Sequence, residues 1–276
     1  MIKAASSTRY WAIRGAWGHS VDKEGELPVA PSAIAAEGQH FTTQGMKEFE
    51  TPRELTVPEI KAIIQDFGQA ARNAIEAGFD GVELHASNGY LANQFLADSS
   101  NYRSDDYGGS IENRNRFVIE VMQTLVDTVG PGKVGIKIAP TNPANGIVFE
   151  NPVKQFNHLI DALNQLPLSY VHLMHNDPLL PHIPHYPKDV IETFGTKIKH
   201  IIIANTAYTR ETSEDELQRG TVDMISYATL FLANPDLPKR FKTGAQLNEP
   251  ESETFYAGAE RGYTDYPFIN EAPPSK

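Results

Sequence analysis

The sequence predicts an α/β protein of the (β/α)8 TIM-barrel class, N-terminally truncated to about six of the eight βα units. Short runs rich in Val and Ile alternate with amphipathic stretches from Thr56 onward, which is typical of repeated βα units around a parallel sheet. Helix-start signals precede several of these amphipathic stretches. We therefore expect one incomplete TIM-barrel domain over residues 1–276.

The first clear unit begins at Thr56. Thr56 and Glu59 have the spacing of a capping box, and the apolar residues that follow keep a helical period as far as Gly78. These apolar residues are Ile60, Ile63, Ile64, Phe67, Ala71 and Ile75. The run "GVELH" then predicts a strand.

The second unit begins in "GGSIENRNRFVIEVMQTLVDTVG", where a Ser caps a helix with apolar residues four apart. "KVGIKIAP" follows as a strand that Pro140 ends. We predict further helices near residues 152–166, 188–194, 212–220 and 235–243, with strands in "SYVHLMH", "KHIIIAN" and "VDMISY". A less regular strand is expected near residues 10–16, and residues 18–55 have the composition of a long covering loop.

Composition excludes several classes of function. A net charge of -11 without a basic stripe argues against a nucleic-acid partner. No apolar run approaches the roughly 18 to 20 residues that span a bilayer, so we expect no membrane association and a cytoplasmic location. With no Cys, the chain has no disulfide, thiolate metal site or cysteine nucleophile.

A polar group stands where the strand "GVELH" ends. His85 is its last residue, and Asn88 and Tyr90 follow, at the end of a barrel strand where reacting groups lie. Neutral His and Asn both donate hydrogen bonds to a carbonyl oxygen, and a Tyr hydroxyl with a pKa of about 10 delivers a proton to carbon. The pattern suits reduction of an activated double bond. The alternative is a strand cap, a turn and a packed ring.

The run "GFDGVELHASNGYLANQFLADSSNYRSDDYGGSIENRNRF" closely resembles the Old Yellow Enzyme family of FMN-dependent ene-reductases. The resemblance continues in "LPVAPSAIAAEGQ", "LFLANPDLPKRFKTGAQLN" and "GYTDYPF", and covers most of residues 25–270. It implies that His85 and Asn88 bind a substrate carbonyl or nitro oxygen and that Tyr90 protonates the α-carbon. Tyr266 resembles a substrate-binding Tyr, although a packed aromatic ring explains it equally well. The implied cofactors are FMN and, as hydride source, NADPH.

Several residues depart from the family pattern where FMN is bound. Ala228 and Thr229 stand in place of a Gly-Arg pair that holds the FMN phosphate, a loss that would weaken binding roughly tenfold to a thousandfold. "IIIANTAY" replaces a Gly-bearing turn, in which Asn205 matches a cofactor-binding position. Lys137 replaces an Arg at the flavin and, pointing inward, needs an anionic partner or forms an internal salt bridge.

The amino terminus lacks the first two βα units of the family. Ile13 to Trp17 reads Ile-Arg-Gly-Ala-Trp, which a one-nucleotide shift produces from codons for His-Thr-Gly-Arg-Val. We therefore expect a frameshift, a misplaced start or a real truncation, and an unclosed barrel with exposed strand edges.

The segment "VHLMHNDPLLPHIPHY" allows a remote alternative, a metal-binding barrel. Its histidines are His172, His175, His182 and His185. Residues three apart on a strand face opposite sides, which argues against one shared ion.

Together these features predict an Old Yellow Enzyme-like homologue that is inactive because the early barrel units and the phosphate grip are lost. The alternative is an active FMN-dependent NADPH oxidoreductase that reduces α,β-unsaturated carbonyls. The substrate in that case is a small unsaturated aldehyde or ketone, and the protein is a monomer or homodimer. The carboxyl-terminal segment resembles fungal members and suggests ergot-alkaloid biosynthesis, at the chanoclavine-I aldehyde step.

Overall fold

The computed structural model describes residues 8–11, 13–255 and 259–269. Its strands, in chain order, are β1 (Thr8–Trp11), β2 (Val29–Ala30), β3 (Gln39–Thr42), β4 (Gly45–Glu48), β5 (Arg53–Glu54), β6 (Gly81–Ala86), β7 (Val134–Ile138), β8 (Tyr170–Met174), β9 (Ile201–Asn205) and β10 (Met224–Ser226). Its helices are α1 (Val57–Glu76), α2 (Leu91–Leu96), α3 (Ile111–Val129), α4 (Pro152–Leu163), α5 (Val190–Phe194), α6 (Arg210–Arg219), α7 (Thr229–Ala233) and α8 (Leu237–Thr243).

The main sheet contains six parallel strands in the order β1-β6-β7-β8-β9-β10. Helices connect most neighbouring strands, as the alternating pattern predicted. Within the described ranges β1 pairs with β6 and β10 pairs with β9, so each has one strand neighbour. The single domain over 1–276 and the barrel of about six units stay predictions.

The predicted helix starts are confirmed. The Thr56 hydroxyl accepts from the Glu59 N–H, and the Glu59 carboxylate accepts from the Thr56 N–H at 2.8 Å, which completes the capping box of α1. The Ser110 hydroxyl caps α3 by accepting from the Asn113 N–H at 3.2 Å. Both helices therefore begin where the sequence placed them.

The core lies between the sheet and helices α1 to α5. The ring of Phe95 on α2 stacks on Phe117 of α3 with centroids 4.2 Å apart, and Phe67 of α1 meets the same Phe117 edge-on. Phe156 of α4 packs edge-on against Phe194 of α5. These aromatic contacts fix the helices on the outside of β6, β7 and β8, so the inward-facing side chains of these strands keep a defined position.

Two parts of the fold differ from the sequence prediction. The strand expected near residues 10–16 lies earlier, at Thr8–Trp11, and Gly15–Trp17 forms a 3-10 turn instead. Residues 18–55 contain two small sheets, β2 with β5 and β3 with β4, in a segment expected to lack regular structure. Strands of two to four residues are too short to give a periodic signal. Within the described ranges, no helix is long and apolar enough to cross a membrane.

Candidate active site

The site residues lie on the inner face of the sheet, where adjacent strands place them side by side. His85 on β6 is in register with Lys137 on β7, and Lys137 is in register with His172 on β8. Asn205 on β9 is likewise in register with Ser226 on β10. Because the strands are parallel, all five residues occupy neighbouring positions across the sheet, close to its carboxyl ends.

His85 is held as a neutral imidazole. Its side chain is buried, and its Nδ1 lies 3.0 Å from the Ser87 hydroxyl. Burial, and after it the charge of Lys137 and that of His172 whenever its ring is protonated, lowers the pKa of His85 to about 3. Near neutral pH the ring therefore carries one proton and donates one hydrogen bond.

Asn88 adopts a left-handed backbone conformation with φ of 55°. Its backbone oxygen accepts from Nδ2 of Asn145 at 2.7 Å, and its side-chain oxygen accepts from Nδ2 of Asn142 at 3.3 Å. Because Asn142 occupies the oxygen end of the Asn88 amide, the NH2 end is the donor presented to a ligand. Gly89, with φ of 77°, allows this turn, since a Cβ there would lie 2.5 Å from the Cβ of Asn145.

Tyr90 completes the group. It stands at the N-cap of α2, and its ring centroid lies 4.9 Å from that of His85. His85, Asn88 and Tyr90 are thus brought together at the end of β6, with Tyr90 half-buried. This arrangement combines two hydrogen-bond donors and one phenol on one side of the sheet.

Lys137 does not have the anionic contact that the sequence led us to expect. Its ammonium group donates to Oδ1 of Asn205 at 3.1 Å, a neutral acceptor, and no carboxylate of the described residues lies within ion-pair distance. The carboxylate of Glu83 pairs instead with His172 at 3.2 Å. Burial lowers the pKa of Lys137, while the Glu83 charge acts in the opposite direction.

A cavity of about 370 Å³ opens beside Asn205. Ala228 and Thr229, the predicted phosphate-end residues, line it together with Ser226 and Asp177. Among the described residues that line this cavity there is no Lys or Arg, and Asp177 is acidic. A phosphate group placed here would meet hydroxyl groups and a carboxylate but no cation.

Two consecutive residues on the same cavity wall have positive φ. Thr206 has φ of 89° and Ala207 has φ of 58°. Glycine adopts this conformation freely, whereas a β-branched residue such as Thr is a clear outlier there. The turn keeps a shape suited to glycine although it has none, which agrees with the interpretation of "IIIANTAY".

Tyr266 is held by the carboxyl-terminal segment. Its hydroxyl accepts from the Glu251 N–H at 2.7 Å, and neighbouring Pro267 accepts from Arg240 on α8. The substrate-binding role of Tyr266 stays a prediction.

The candidate metal ligands are dispersed. His172 contacts Glu83 and Ser226, His185 lies 3.0 Å from the Phe149 oxygen, and His175 is 3.9 Å from Asp189. In the part of the chain that the structure describes, no three His, Asp or Glu residues are grouped to hold a metal ion.

Sequence reasoning missed Asn142 and Asn145. Both lie in "TNPAN", directly after the Pro that ends β7, and both orient Asn88. Polar residues just beyond a strand end were the signal used for Asn88 itself, and the same signal applied to β7 would have found them.

Comparisons with known proteins give the family and the fold. Residues 15–248 match the model of the NADH:flavin oxidoreductase / NADH oxidase family. The chain is 42% identical over 227 residues to 12-oxophytodienoate reductase 1 of Oryza sativa subsp. japonica, covering 81% of this chain and 59% of that protein.

Two solved structures have the same fold. The old yellow enzyme homologue from Zymomonas mobilis is 35% identical with a TM-score of 0.87, over 92% of this chain and 71% of that one. Morphinone reductase in complex with tetrahydroNAD is 39% identical with a TM-score of 0.85, over 95% of this chain and 72% of that one.

Proposed function

This chain belongs to the NADH:flavin oxidoreductase family, whose members include Old Yellow Enzyme. We propose that it has kept the carbonyl-binding half of an ene-reductase site and has lost most of the contacts that bind FMN. As a consequence it reduces enones poorly or not at all. The observation that carries this proposal is the contrast between the two ends of the site. His85, Asn88 and Tyr90 are assembled at one end, and the cavity beside Ala228 and Thr229 has no cation at the other.

The carbonyl-binding half acts through two donors and one acid. When the Ser87 hydroxyl donates to Nδ1 of His85, the single proton of the neutral ring lies on Nε2 and points to a ligand. The NH2 group of Asn88 is the second donor to the same carbonyl oxygen. These two bonds withdraw charge from the double bond, and the Tyr90 hydroxyl then has the chemistry to protonate the α-carbon.

The residues fit FMN at its ring end and not at its phosphate end. FMN supplies hydride to the substrate in this family, and a nicotinamide supplies it to FMN. Lys137 keeps a positive charge for the flavin ring, although without the planar fork of Arg. At the other end the Cβ of Ala228 and the strained pair Thr206 and Ala207 replace glycine, and Thr229 offers one neutral hydroxyl.

The ligand class that the donors suit is a small α,β-unsaturated aldehyde or ketone, with no nucleic acid or metal required. A role in ergot-alkaloid biosynthesis, at chanoclavine-I aldehyde, stays a prediction, as does the choice between monomer and homodimer. Lys137 favours a second candidate function, an active FMN-dependent NADPH oxidoreductase, because its half-buried ammonium group still lies beside His85 in register.

Visible absorption of the purified protein, with and without added FMN, tests the proposal. We expect no shifted flavin bands at high micromolar FMN, and no FMN-dependent oxidation of NADPH with 2-cyclohexenone. Binding of the enone itself, followed by ligand-detected NMR, should survive and should weaken in His85→Gln. Tight FMN binding with turnover of the enone would overturn the proposal and establish the active reductase.

A further inference from the structure

A serine, a histidine and a glutamate form a continuous hydrogen-bonded chain across the inner face of the sheet. The Ser226 hydroxyl on β10 lies 2.8 Å from Nε2 of His172 on β8. On the other side of the ring, Nδ1 of His172 lies 3.2 Å and 3.4 Å from the two carboxylate oxygens of Glu83 on β6. The contacts at 2.8 Å and 3.2 Å lie in the range expected between a nucleophile, a base and a group that orients the base.

The order of the partners fixes the proton positions. The Glu83 carboxylate only accepts, so Nδ1 of His172 carries a proton and donates to it. Nε2 of the neutral ring is then the acceptor that faces the Ser226 hydroxyl. The Ala204 carbonyl, at 3.5 Å, is the weaker competing acceptor for that hydroxyl. His172 is therefore placed as a general base for Ser226.

Burial favours the same assignment. The Glu83 and His172 side chains are only 7% and 13% exposed to solvent, so water screens their contact weakly. Ser226, in contrast, is half-buried and lines the cavity of about 370 Å³, where a small molecule has room. The carbonyl-binding mechanism uses neither Ser226 nor Glu83.

We propose that Ser226 is a base-activated nucleophile that accepts acyl groups from small esters. The Ser226 oxygen forms a bond to the ester carbonyl carbon while Nε2 of His172 takes the hydroxyl proton. The bond to the alcohol oxygen then breaks, and His172 returns the proton to the leaving alcohol. Water, deprotonated in the same way, cleaves the acyl-serine and releases the acid. This activity does not depend on flavin and stands apart from the proposed function.

A second serine and histidine pair offers an internal comparison. Ser87 lies 3.0 Å from Nδ1 of His85, but its side chain is fully buried, so no ester can reach it. Of these two pairs, the one on β8 and β10 combines a base, an orienting carboxylate and an adjoining cavity.

The experiment is labelling of the full-length folded chain with a fluorophosphonate probe, read as intact mass and then by fragmentation of the labelled peptide. We expect one probe molecule per chain, attached at Ser226. Ser226→Ala should remove the label. His172→Gln should slow labelling by about 100-fold or more, the usual contribution of a general base. Glu83→Gln should slow it by about tenfold or more, since the base loses its orienting charge.

Ser213→Ala is the matched control. Ser213 is a buried neighbour whose hydroxyl donates to the Thr209 oxygen at 2.6 Å and contacts Tyr227, with no histidine partner. Its labelling rate should equal that of the wild type. Circular dichroism of each variant checks that it is folded, and Glu83→Gln, which keeps the shape, is informative even if His172→Gln does not fold. Labelling absent from the folded wild type, or equal in folded Ser226→Ala, would overturn the proposal.

Discussion

The ammonium nitrogen of Lys137 lies 3.1 Å from Oδ1 of Asn205, and Nδ2 of the same Asn205 donates to the Ser226 carbonyl oxygen, also at 3.1 Å. One neutral amide therefore links β7, β9 and β10 and holds the cation at the centre of the site. Because the contact partner is uncharged, the ammonium group is available to an anionic or electron-rich ligand. We therefore expect the loss of FMN affinity to come from the phosphate end of the proposed flavin site.

Restoring the family residues at that end should restore FMN binding. We expect Ala228→Gly combined with Thr229→Arg to tighten FMN by roughly tenfold to a thousandfold, because the Arg makes charge-assisted hydrogen bonds worth about 1.5 to 3 kcal/mol each. Titration of flavin fluorescence measures the change. Riboflavin, which has no phosphate, should bind both proteins equally.

Thr243→Arg is the control for this prediction. Thr243 lies exposed at the end of α8, so the variant changes the net charge without adding a cation to the cavity. FMN binding that tightens equally in Thr243→Arg would point to a general charge effect and contradict the prediction.

Because of His85, the free energy of unfolding should decrease as the pH falls. Its pKa is about 3 in the folded chain and about 6.5 when unfolded, so the unfolded chain binds the proton first. The stabilisation from neutral His85 is complete above pH of about 6.5 and is lost as the pH falls toward 3. The loss is at most about 1.4 kcal/mol per pH unit. Urea unfolding at pH 7, 6 and 5 measures it.

Two histidine variants separate this effect from general acid sensitivity. His85→Gln should flatten the dependence between pH 7 and 5, because the buried titrating group is gone. His182→Gln, at an exposed position, should leave it unchanged. Nitrogen NMR of labelled imidazole gives a direct reading, and a His85 signal that titrates near pH 6.5 would refute the prediction.

Glycine should relieve the strained turn after β9. Thr206→Gly and Ala207→Gly each remove a side chain from a residue with positive φ, a strain of about 1 kcal/mol or more, against an entropy cost of about 0.4 to 1 kcal/mol. We expect Thr206→Gly to stabilise the chain, measured by urea unfolding, and Ala207→Gly to have a smaller effect of the same sign. Ala162→Gly, inside helix α4, should instead destabilise by roughly 0.5 to 1 kcal/mol. Destabilisation by Thr206→Gly would contradict the assignment of strain.

Sequence reasoning found the elements that carry local signals. The caps at Thr56 and Ser110 located α1 and α3, and Pro140 located the end of β7. Helices α2 and α7, with six and five residues, were missed because neither completes two turns and so neither has a helical period.

The side-chain contacts between strands could not be predicted from the sequence. Lys137 was correctly placed on the inner face, but the choice between Glu83 and Asn205 as its partner depends on side-chain geometry. Ser226 and His172 are 54 residues apart, and His172 and Glu83 are 89 residues apart. The parallel register of the sheet brings these three residues together, and their spacing in the sequence does not predict the contact.

Arg103 should decide whether the segment of residues 18–55 stays attached to the sheet. Its guanidinium is buried and donates to the carbonyl oxygens of Pro31 at 2.9 Å and Leu55 at 2.6 Å, while its Nε donates to Asp105 at 3.0 Å. Nη1 of Arg103 also lies 3.3 Å from a carboxylate oxygen of Glu54, so Arg103→Met leaves two buried carbonyls and two carboxylates without this partner. We expect a loss of about 3 to 5 kcal/mol in the free energy of unfolding.

Limited proteolysis with mass spectrometry locates the effect. Arg103→Met should expose cleavage sites within residues 18–55 under conditions in which the wild type is intact. Arg103→Lys should fall between them, because Lys keeps the charge but cannot reach all of these partners at once. Arg53→Met is the matched control. It breaks the exposed ion pair with Glu59, in which Arg53 is 50% exposed, and should cost far less than Arg103→Met, because water screens an exposed pair. Equal losses of unfolding free energy in the two Met variants would contradict the prediction, because burial of Arg103 would then add nothing to stability.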